Sequence, residues 1–496
     1  MKFLIDTNIL IPLEPTSPSD LTPKSSEAAE FARLASEAKY QLYIHPAQRK
    51  DLLRDKDQNR RRAREILVRK YIELPNPPAS SPVFEKELTT ADPKSHDWVD
   101  LQLLIALERN AIDVLVTEDV RLRKKAERYQ LEGRVLALQD AIAGIRNLIE
   151  KLPPPPAVLA ILAYSLNERD PIFDSFREDY GAGFDAWLEK CKREHRQAWI
   201  IMGDGQYAGV AIANPETKDQ LDLEGNILKI CTFKISQERP GFKLGELMLK
   251  AVFRHALTNK FNGLYVTVFP KYETLISFFQ DFGFRPSRGK TSYGELKLTK
   301  PILLPSSDTP HGDTLSPLDF NIRYGPAAIK SLEAPAYFIP IQPKYHRLLF
   351  PEAENQQELM PGRYPFGNSI RKAYLCNAGI RSIGHGSTIL FYRSHDTHGI
   401  TAVGVVEHTM VSSDSNEVAR YVIRRTVYSQ DDIDDMCSTR EVLAILFRHA
   451  GLLPEPILLA DLRDNRALAR APQSIQSVPQ EAIEWLHVEL KQRLRF

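Results

Sequence analysis

Over the first 150 residues, short apolar runs alternate with amphipathic stretches. Phe3-Leu4-Ile5, Gln41-Leu42-Tyr43-Ile44 and Val114-Leu115-Val116 have the length and composition of strands. Between them, residues 26–38 place Ala28, Ala29, Phe31, Ala32 and Leu34 at helical spacing, and 97–107 repeats that spacing around Trp98, Leu101 and Leu104. His45-Pro46 opens a further helix that runs through Asp51 to Leu53. Strands that alternate with helices predict a mainly parallel α/β/α sandwich.

From residue 157 the pattern changes. Two apolar runs flank a Gly203-Asp204-Gly205 turn, which reads as a hairpin. A strand follows over 227–235, then a helix from Glu246, a strand over 264–268 and a helix over 274–282. This order predicts an α+β segment. From Tyr337 onward the chain is strand-rich, with glycines between strands and helices only at 440–450 and 479–492, which suggests a small β-barrel with helices.

Two composition breaks divide the chain. Four consecutive prolines, Pro153 to Pro156, end a helical pattern, and 304–326 is rich in Pro, Ser, Asp and Gly. The expected domains are 1–151, 157–303 and 336–496, with a linker at 304–335. A chain of 496 residues is long enough for about three cores. The net charge of +1 excludes a global field for nucleic acid and leaves only local basic footprints. Cys191, Cys231, Cys376 and Cys437 are scattered and form no CxxC pair, which fits a reducing cytoplasm. No run of about 18 apolar residues suggests a membrane span. His385, His395, His398 and His408 have the spacing of no compact zinc site.

Asp6 directly follows one expected strand and Asp119 closely follows another. Asp51 and Asp100 lie in the neighbouring helices. In parallel sheets the crevice lies beyond the carboxyl ends of the strands. A single such acid is a routine helix cap. Four in this order suit a hard divalent cation, with Thr7 and Asn8 as orienting neighbours. The stretch from Asp6 to Leu10, Asp51 five residues after Pro46, the run from Asp100 to Leu107 and Val116 to Asp119 together resemble the PIN-domain nucleases. The resemblance implies that Asp6, Asp51, Asp100 and Asp119 bind Mg2+ or Mn2+ and cut RNA. At the second position the family usually has Glu, where this chain has Asp51. Between Arg49 and Lys70, Arg60, Arg61 and Arg64 form either a flank for RNA phosphates or a solvated helix face interleaved with acids.

The order of elements in the second segment, with the loop Pro240 to Gly245 between a strand and a helix, resembles the GNAT acyltransferases. The resemblance implies that backbone groups at Lys243, Leu244, Gly245 and Glu246 hold the pyrophosphate of acetyl-CoA, and that the strand from Phe233 to Ile235 offers backbone groups to its pantetheine arm. Lys243 stands where the family's first loop glycine belongs. Phe279 stands where the family often has a Tyr acid. In the third segment, Gly386 to Glu407 resembles the ASCH, EVE and PUA-like barrels, which mostly bind RNA. That resemblance points to Arg371, Lys372 and Arg393 as RNA contacts.

The combined expectation is a divalent-metal endoribonuclease acting on tRNA or another structured RNA, with an acetyl-CoA module. Its partners would be RNA and, by analogy with toxins of these families, a neutralising antitoxin. The alternatives are an acetyltransferase that uses the acidic segment as a docking platform, and a non-catalytic RNA-binding regulator.

Overall fold

A computed structural model describes residues 1–149, 157–216, 223–236, 243–307, 310, 313–330, 333–353 and 369–496. The tract Pro153–Pro156, the loop residues Pro240, Gly241 and Phe242, and Gly367 and Asn368 lie outside the described residues. The chain forms two compact units, Met1–Lys151 with Ser412–Thr439, and Leu152–Val411 with Arg440–Phe496.

The first unit is built on five parallel strands: β1 (Lys2–Ile5), β2 (Gln41–Ile44), β3 (Ile72–Glu73), β4 (Val114–Val116) and β5 (Val135–Leu136). Their order is β3-β2-β1-β4-β5, so the strand sequence reverses direction between β1 and β4. Eight helices connect and follow them: α1 (Thr7–Leu13), α2 (Pro23–Glu37), α3 (Arg49–Leu52), α4 (Gln58–Leu67), α5 (Glu85–Thr90), α6 (His96–Glu108), α7 (Val120–Glu127) and α8 (Leu138–Ile149). Helix α6 starts where Ser95 accepts the Trp98 amide at 3.1 Å, and it buries Val99 and Leu101 to Leu107. This nearly all-round apolar helix fills one side of the sheet together with Leu4, Leu115 and Phe84. The parallel sheet expected from the sequence is present.

The second unit contains two sheets. The first has seven strands: β6 (Val158–Leu162), β7 (Gln197–Gly203), β8 (Gln206–Glu216), β9 (Ile227–Ile235), β10 (Gly263–Val268), β11 (Arg285–Lys290) and β12 (Leu296–Pro301). Their order is β11-β12-β10-β9-β8-β7-β6, and only β9 and β10 run parallel. Helices α9 (Asp174–Tyr180) and α10 (Gly183–Arg193) cover one face; α11 (Leu244–Thr258) and α12 (Glu273–Asp281) cover the other.

The second sheet follows α13 (Pro317–Tyr324). Its strands are β13 (Ala336–Ile341), β14 (Arg371–Cys376), β15 (Thr388–Arg393), β16 (Gly399–Ser412), β17 (Val442–Leu458) and β18 (Gln476–Ser477), in the order β14-β17-β16-β15-β13-β18. The remaining helices are α14 (Pro343–Leu349), α15 (Ser415–Val422), α16 (Gln430–Thr439), α17 (Leu459–Asp464) and α18 (Ile483–Arg493). The Tyr374 hydroxyl on β14 donates to Pro340 O on β13 at 2.8 Å, four strands away in the order, so the sheet curls strongly on itself.

Three expectations need correction. Residues 440–450 are mostly strand β17, not a helix, because their continuous apolar run is buried on both sides. The stretch 304–335 is more than a linker, since α13 buries Leu318 and Phe320 and Lys330 is buried beside Asp313 at 3.1 Å. Finally, α15 and α16 leave the third segment and belong to the first unit. There Ile423 lies so close to Gly144 that an added Cβ would stand 2.7 Å from the Ile423 carbonyl oxygen. Arg420 pairs with Asp113 at 2.7 Å and Arg424 with Asp140 at 3.1 Å in the same interface. Among the described residues no helix is long and apolar enough to cross a membrane.

Candidate functional site

The acidic residues gather where the strand order reverses. Asp6 ends β1, and its amide donates to Val116 O of β4 at 3.0 Å. It does cap α1, accepting the Thr7 amide at 2.6 Å, but its other oxygen does more. That oxygen accepts from the Thr117 hydroxyl at 2.6 Å and from Asn8 Nδ2 at 2.7 Å. Asn8 Oδ1 in turn accepts the Glu118 amide at 3.0 Å, and Thr117 Oγ1 accepts the Asp119 amide at 3.0 Å. The two strand ends are therefore laced together around one carboxylate. Asp119 caps α7, accepting Arg121 N at 2.7 Å and Leu122 N at 3.2 Å.

Gln48 brings in the third acid. Its buried amide donates to Ile5 O at 2.8 Å and so ties the start of α3, which carries Asp51, to the end of β1. Asp51 is paired with Arg54 and, at 2.9 Å, with His96. Asp100 projects from α6. Its carboxyl is pushed up to about 7, first by burial and then by the charges of Asp6 and Asp119, with Lys125 opposing and Asp51 adding. Asp6 is pushed up to about 6 by burial, against the hydrogen bonds from Thr117 and Thr7 and with help from Asp119 and Asp51. Burial also raises Asp51, against Arg54 and His96. The charges of Asp6, Asp51 and Asp119 thus act on Asp100, and those of Asp51 and Asp119 on Asp6. By contrast, Asp97 is exposed and paired with Lys125.

Among the described residues no group of three or more His, Cys, Asp or Glu side chains is arranged to hold a metal ion as it stands. The side-chain pairings explain this: Asp51 is turned to Arg54 and His96, and one oxygen of Asp119 is spent on its helix cap. The chemistry of the set still fits a hard divalent cation. All donors are carboxylate oxygens, and burial together with their mutual charges raises Asp6 and Asp100, an effect that a bound divalent cation would offset.

The basic helix α4 does not present the flank considered from the sequence. Arg64 is half-buried and held between Asp55 at 2.6 Å and Asp20 at 3.2 Å, so its guanidinium is already paired. Arg60 pairs with the same Asp55 at 2.8 Å, and Arg61 reaches Leu53 O at 3.4 Å.

In the second unit, β9 and β10 pair only from Ile227/Gly263 to Ile230/Val266. Beyond that point β9 continues to Ile235 along β8 alone, through Phe233 opposite Ala211. The strands therefore splay and leave one backbone edge of β9 unpaired among the described residues. Lys243 precedes α11 in the left-handed conformation, φ 51°, and the helix N-terminus begins at Leu244. Gly245 faces Phe278 with room for a Cβ at ordinary contact distance, 3.4 Å, so packing alone does not demand the glycine. Glu246 turns its carboxylate away, accepting Ile370 N at 3.1 Å, so toward a ligand it offers only backbone. Phe279 is fully buried against Phe233 and Phe284, and Tyr272 donates to Asp179 at 2.6 Å.

The sequence reading missed Glu295. This buried carboxylate next to the end of β10 accepts from Tyr180 at 2.5 Å, Thr267 at 3.1 Å and Thr291 at 2.8 Å. Nothing in the hydrophobic pattern distinguishes it from a surface acid.

Of the three basic residues assigned to RNA in the third segment, Lys372 and Arg393 are buried and Arg371 is half-buried. Arg371 pairs with Glu407 at 3.0 Å, and Glu407 also accepts Arg448 at 3.1 Å. Lys372 has no exposed surface. Arg393 is held by Asp396 at 2.5 Å and donates toward His346 Nδ1 at 3.3 Å. Arg371 and Arg393 are thus turned onto carboxylates of their own unit, and Arg371 keeps part of its side chain exposed.

Residues 162–284 match the acetyltransferase (GNAT) family model. No curated protein matches the chain. Among solved structures, similarity is found to a GNAT family acetyltransferase from Elizabethkingia anophelis with acetyl-CoA bound. The identity is 12%, over 29% of this chain and 99% of that one, with a TM-score of 0.22. An N-acetyltransferase from Campylobacter jejuni is 17% identical over 29% of this chain and 99% of its own, with a TM-score of 0.22. An ASCH protein from Zymomonas mobilis is 17% identical over 30% of this chain and 92% of its own, with a TM-score of 0.24.

Proposed function

We propose that the chain carries two separate enzymatic sites: a divalent-cation-dependent phosphodiesterase site for RNA in the first unit, and an acetyl-CoA-dependent acyltransferase site in the second. One observation carries the first reading: Asp6, Asp51, Asp100 and Asp119 act on one another where the strand order reverses. Asp6 and Asp100 would hold the cation, with Asp119 and Asp51 completing the set once Asp51 leaves Arg54 and His96. When bound, Mg2+ or Mn2+ supplies charge compensation and an acidified water at a phosphodiester. The residues of this chain supply the rest. Thr117 and Asn8 hold the Asp6 carboxylate in one orientation, and Gln48 anchors the start of α3. Lys125, which acts on Asp100, adds positive charge beside the site.

The family match over 162–284 supports the second reading. The open edge of β9 from Thr232 to Ile235 would pair with the amides of a pantetheine arm. Lys243 and the α11 N-terminus would hold a pyrophosphate. Acetyl-CoA supplies the acyl group as a thioester. Phe279 has no proton to give the leaving thiolate, so this site lacks the Tyr acid at that position.

The test is incubation of labelled tRNA with Mg2+, with and without acetyl-CoA. Mg2+-dependent cleavage supports the first reading. Acetyl incorporation without cleavage leaves only the second. For the second site alone, calorimetry of acetyl-CoA binding should show at least a tenfold loss in Lys243→Glu. Absence of binding by the parent chain would sink that reading.

A further inference from the structure

The edge of a sheet is a row of unpaired backbone groups, and proteins keep such edges short, charged, broken by proline or covered. This chain follows that rule nearly everywhere. β3, β5 and β18 hold only two residues each. β11 reads Arg285-Pro286-Ser287-Arg288-Gly289-Lys290, with a proline, three cations and a shift of register between Pro286 and Lys290. β14 is turned back toward β13, where the Tyr374 hydroxyl donates to Pro340 O.

β6 departs from the rule. It ends the seven-strand order opposite β11, and among the described residues no strand pairs with its outer side. It reads Val158-Leu159-Ala160-Ile161-Leu162, without proline, glycine or charge. No charged residue occurs from Ala157 to Asn167. Its register with β7 runs without a shift from Val158/Ile201 to Leu162/Gln197. Leu159 is 47% and Leu162 38% exposed, and Ala160 is exposed as well.

The backbone of β6 shows what this edge accepts. Ala163 N donates to Arg196 O at 2.8 Å, so Ala163 faces β7. Antiparallel ladders alternate, and Leu162, Ala160 and Val158 therefore turn their amides and carbonyls outward. These positions are symmetric about Ala160. Two β6 strands paired antiparallel about that residue would set Ala160 against the partner's Ala160 and Val158 against the partner's Leu162. Each such pair exchanges two backbone hydrogen bonds. Leu159 would stand opposite the partner's Ile161 on the other face. Every side chain then meets an apolar one, and no like charges face each other. A charged peptide would find no counter-charge on this strand.

We propose that β6 is a dimerisation edge, at which two copies of the chain pair antiparallel about Ala160 and join their seven-stranded sheets into one. The contact is isologous, so it closes at two copies and leaves no edge to propagate. β7 and β8 separate it from the splay of β9 and β10, so pairing leaves that opening free.

Sedimentation equilibrium of the full chain tests this. The parent should show a reversible equilibrium between monomer and dimer. Ala160→Lys and Ala160→Glu keep the backbone and set like charges opposite each other across the two-fold axis. Each variant alone should dimerise more weakly by about tenfold or more, and an equal mixture of the two should recover association. Circular dichroism melts report whether the fold is kept. Leu159→Lys, at another exposed side chain, carries the test if a variant at Ala160 does not fold. A parent that stays monomeric, association undiminished in the folded single variants, or loss in both without recovery in the mixture overturns the proposal.

Discussion

Thr117 donates its hydroxyl to Asp6 at 2.6 Å, which joins the ends of two neighbouring parallel strands through one carboxylate. Thr117 is fully buried, so the bond is made away from competing water. Thr117→Val keeps the shape and removes the donor. Asp6 then loses the strongest force that holds its carboxyl down against burial. The variant should bind Mn2+ about tenfold more weakly by calorimetry, as expected when a partner that orients a ligand is lost. Unchanged affinity would show that Asp6 is not a ligand.

Asp100 makes the metal-free protein sensitive to pH in the direction opposite to most carboxylates. Its folded-state value, about 7, lies above the unfolded value, so its contribution to stability is complete at low pH. That contribution is lost as pH rises through 7. Asp100→Asn removes the loss. At pH 8 without metal the variant should be more stable than the parent by roughly 2 kcal/mol, after allowance for solvent screening. At pH 4 the two should be nearly equal. Thermal unfolding at both pH values, with a chelator present, measures this.

His346 predicts acid sensitivity in the second unit. It is fully buried, and its ring is pushed down to about 3 by burial first and then by Arg393, with Asp396 opposing. The hydrogen bonds fix its tautomer. Arg393 donates toward Nδ1, so Nε2 carries the proton toward Thr401 Oγ1, 2.8 Å away. A depressed histidine stabilises above its unfolded value near 6.5, and that stability is lost as pH falls toward 3. The loss can reach ~4 kcal/mol. His346→Gln should flatten the acid limb of the unfolding curve followed by tryptophan fluorescence. An unchanged limb would place the acid-sensitive group elsewhere.

Restoring the tyrosine in the second unit should fail. Phe279 is fully buried among Phe233, Phe278 and Phe284. Phe279→Tyr would bury a hydroxyl in that aromatic core and cost about 1–3 kcal/mol. No gain in acetyl transfer is expected. A variant that transfers acetyl groups faster would mean that this position faces the reacting atoms after all.

The four acids were legible because each stands next to an element that hydrophobic periodicity identifies, and a parallel sheet must bring its strand ends to one edge. The strands β2 and β9 appear at the residues the pattern picked out. β17 was misread as a helix because Val, Leu, Ile and Phe in one unbroken run suit a buried strand as well as a buried helix. The resemblance to RNA-binding barrels points to Arg371, Lys372 and Arg393 as RNA contacts, whereas the fold buries Lys372 and Arg393 and half-buries Arg371. Only their surroundings reveal otherwise: Glu407 and the Phe350 ring are distant in sequence from Arg371 and Lys372, and Asp396, though three residues from Arg393, shows as its partner only in the fold. The same limit hid Glu295, since periodicity shows which residues share a face but not what covers it.

The most direct test of the central claim is cleavage of end-labelled tRNA in Mg2+ by the full chain, beside Asp6→Asn and Asp97→Asn. Asp97 is an exposed acid one turn from Asp100 and outside the cluster. The account predicts Mg2+-dependent cleavage by the parent and by Asp97→Asn, and a loss of at least about 100-fold in Asp6→Asn. Absence of Mg2+-dependent cleavage by the parent, or cleavage that survives in Asp6→Asn, would contradict it.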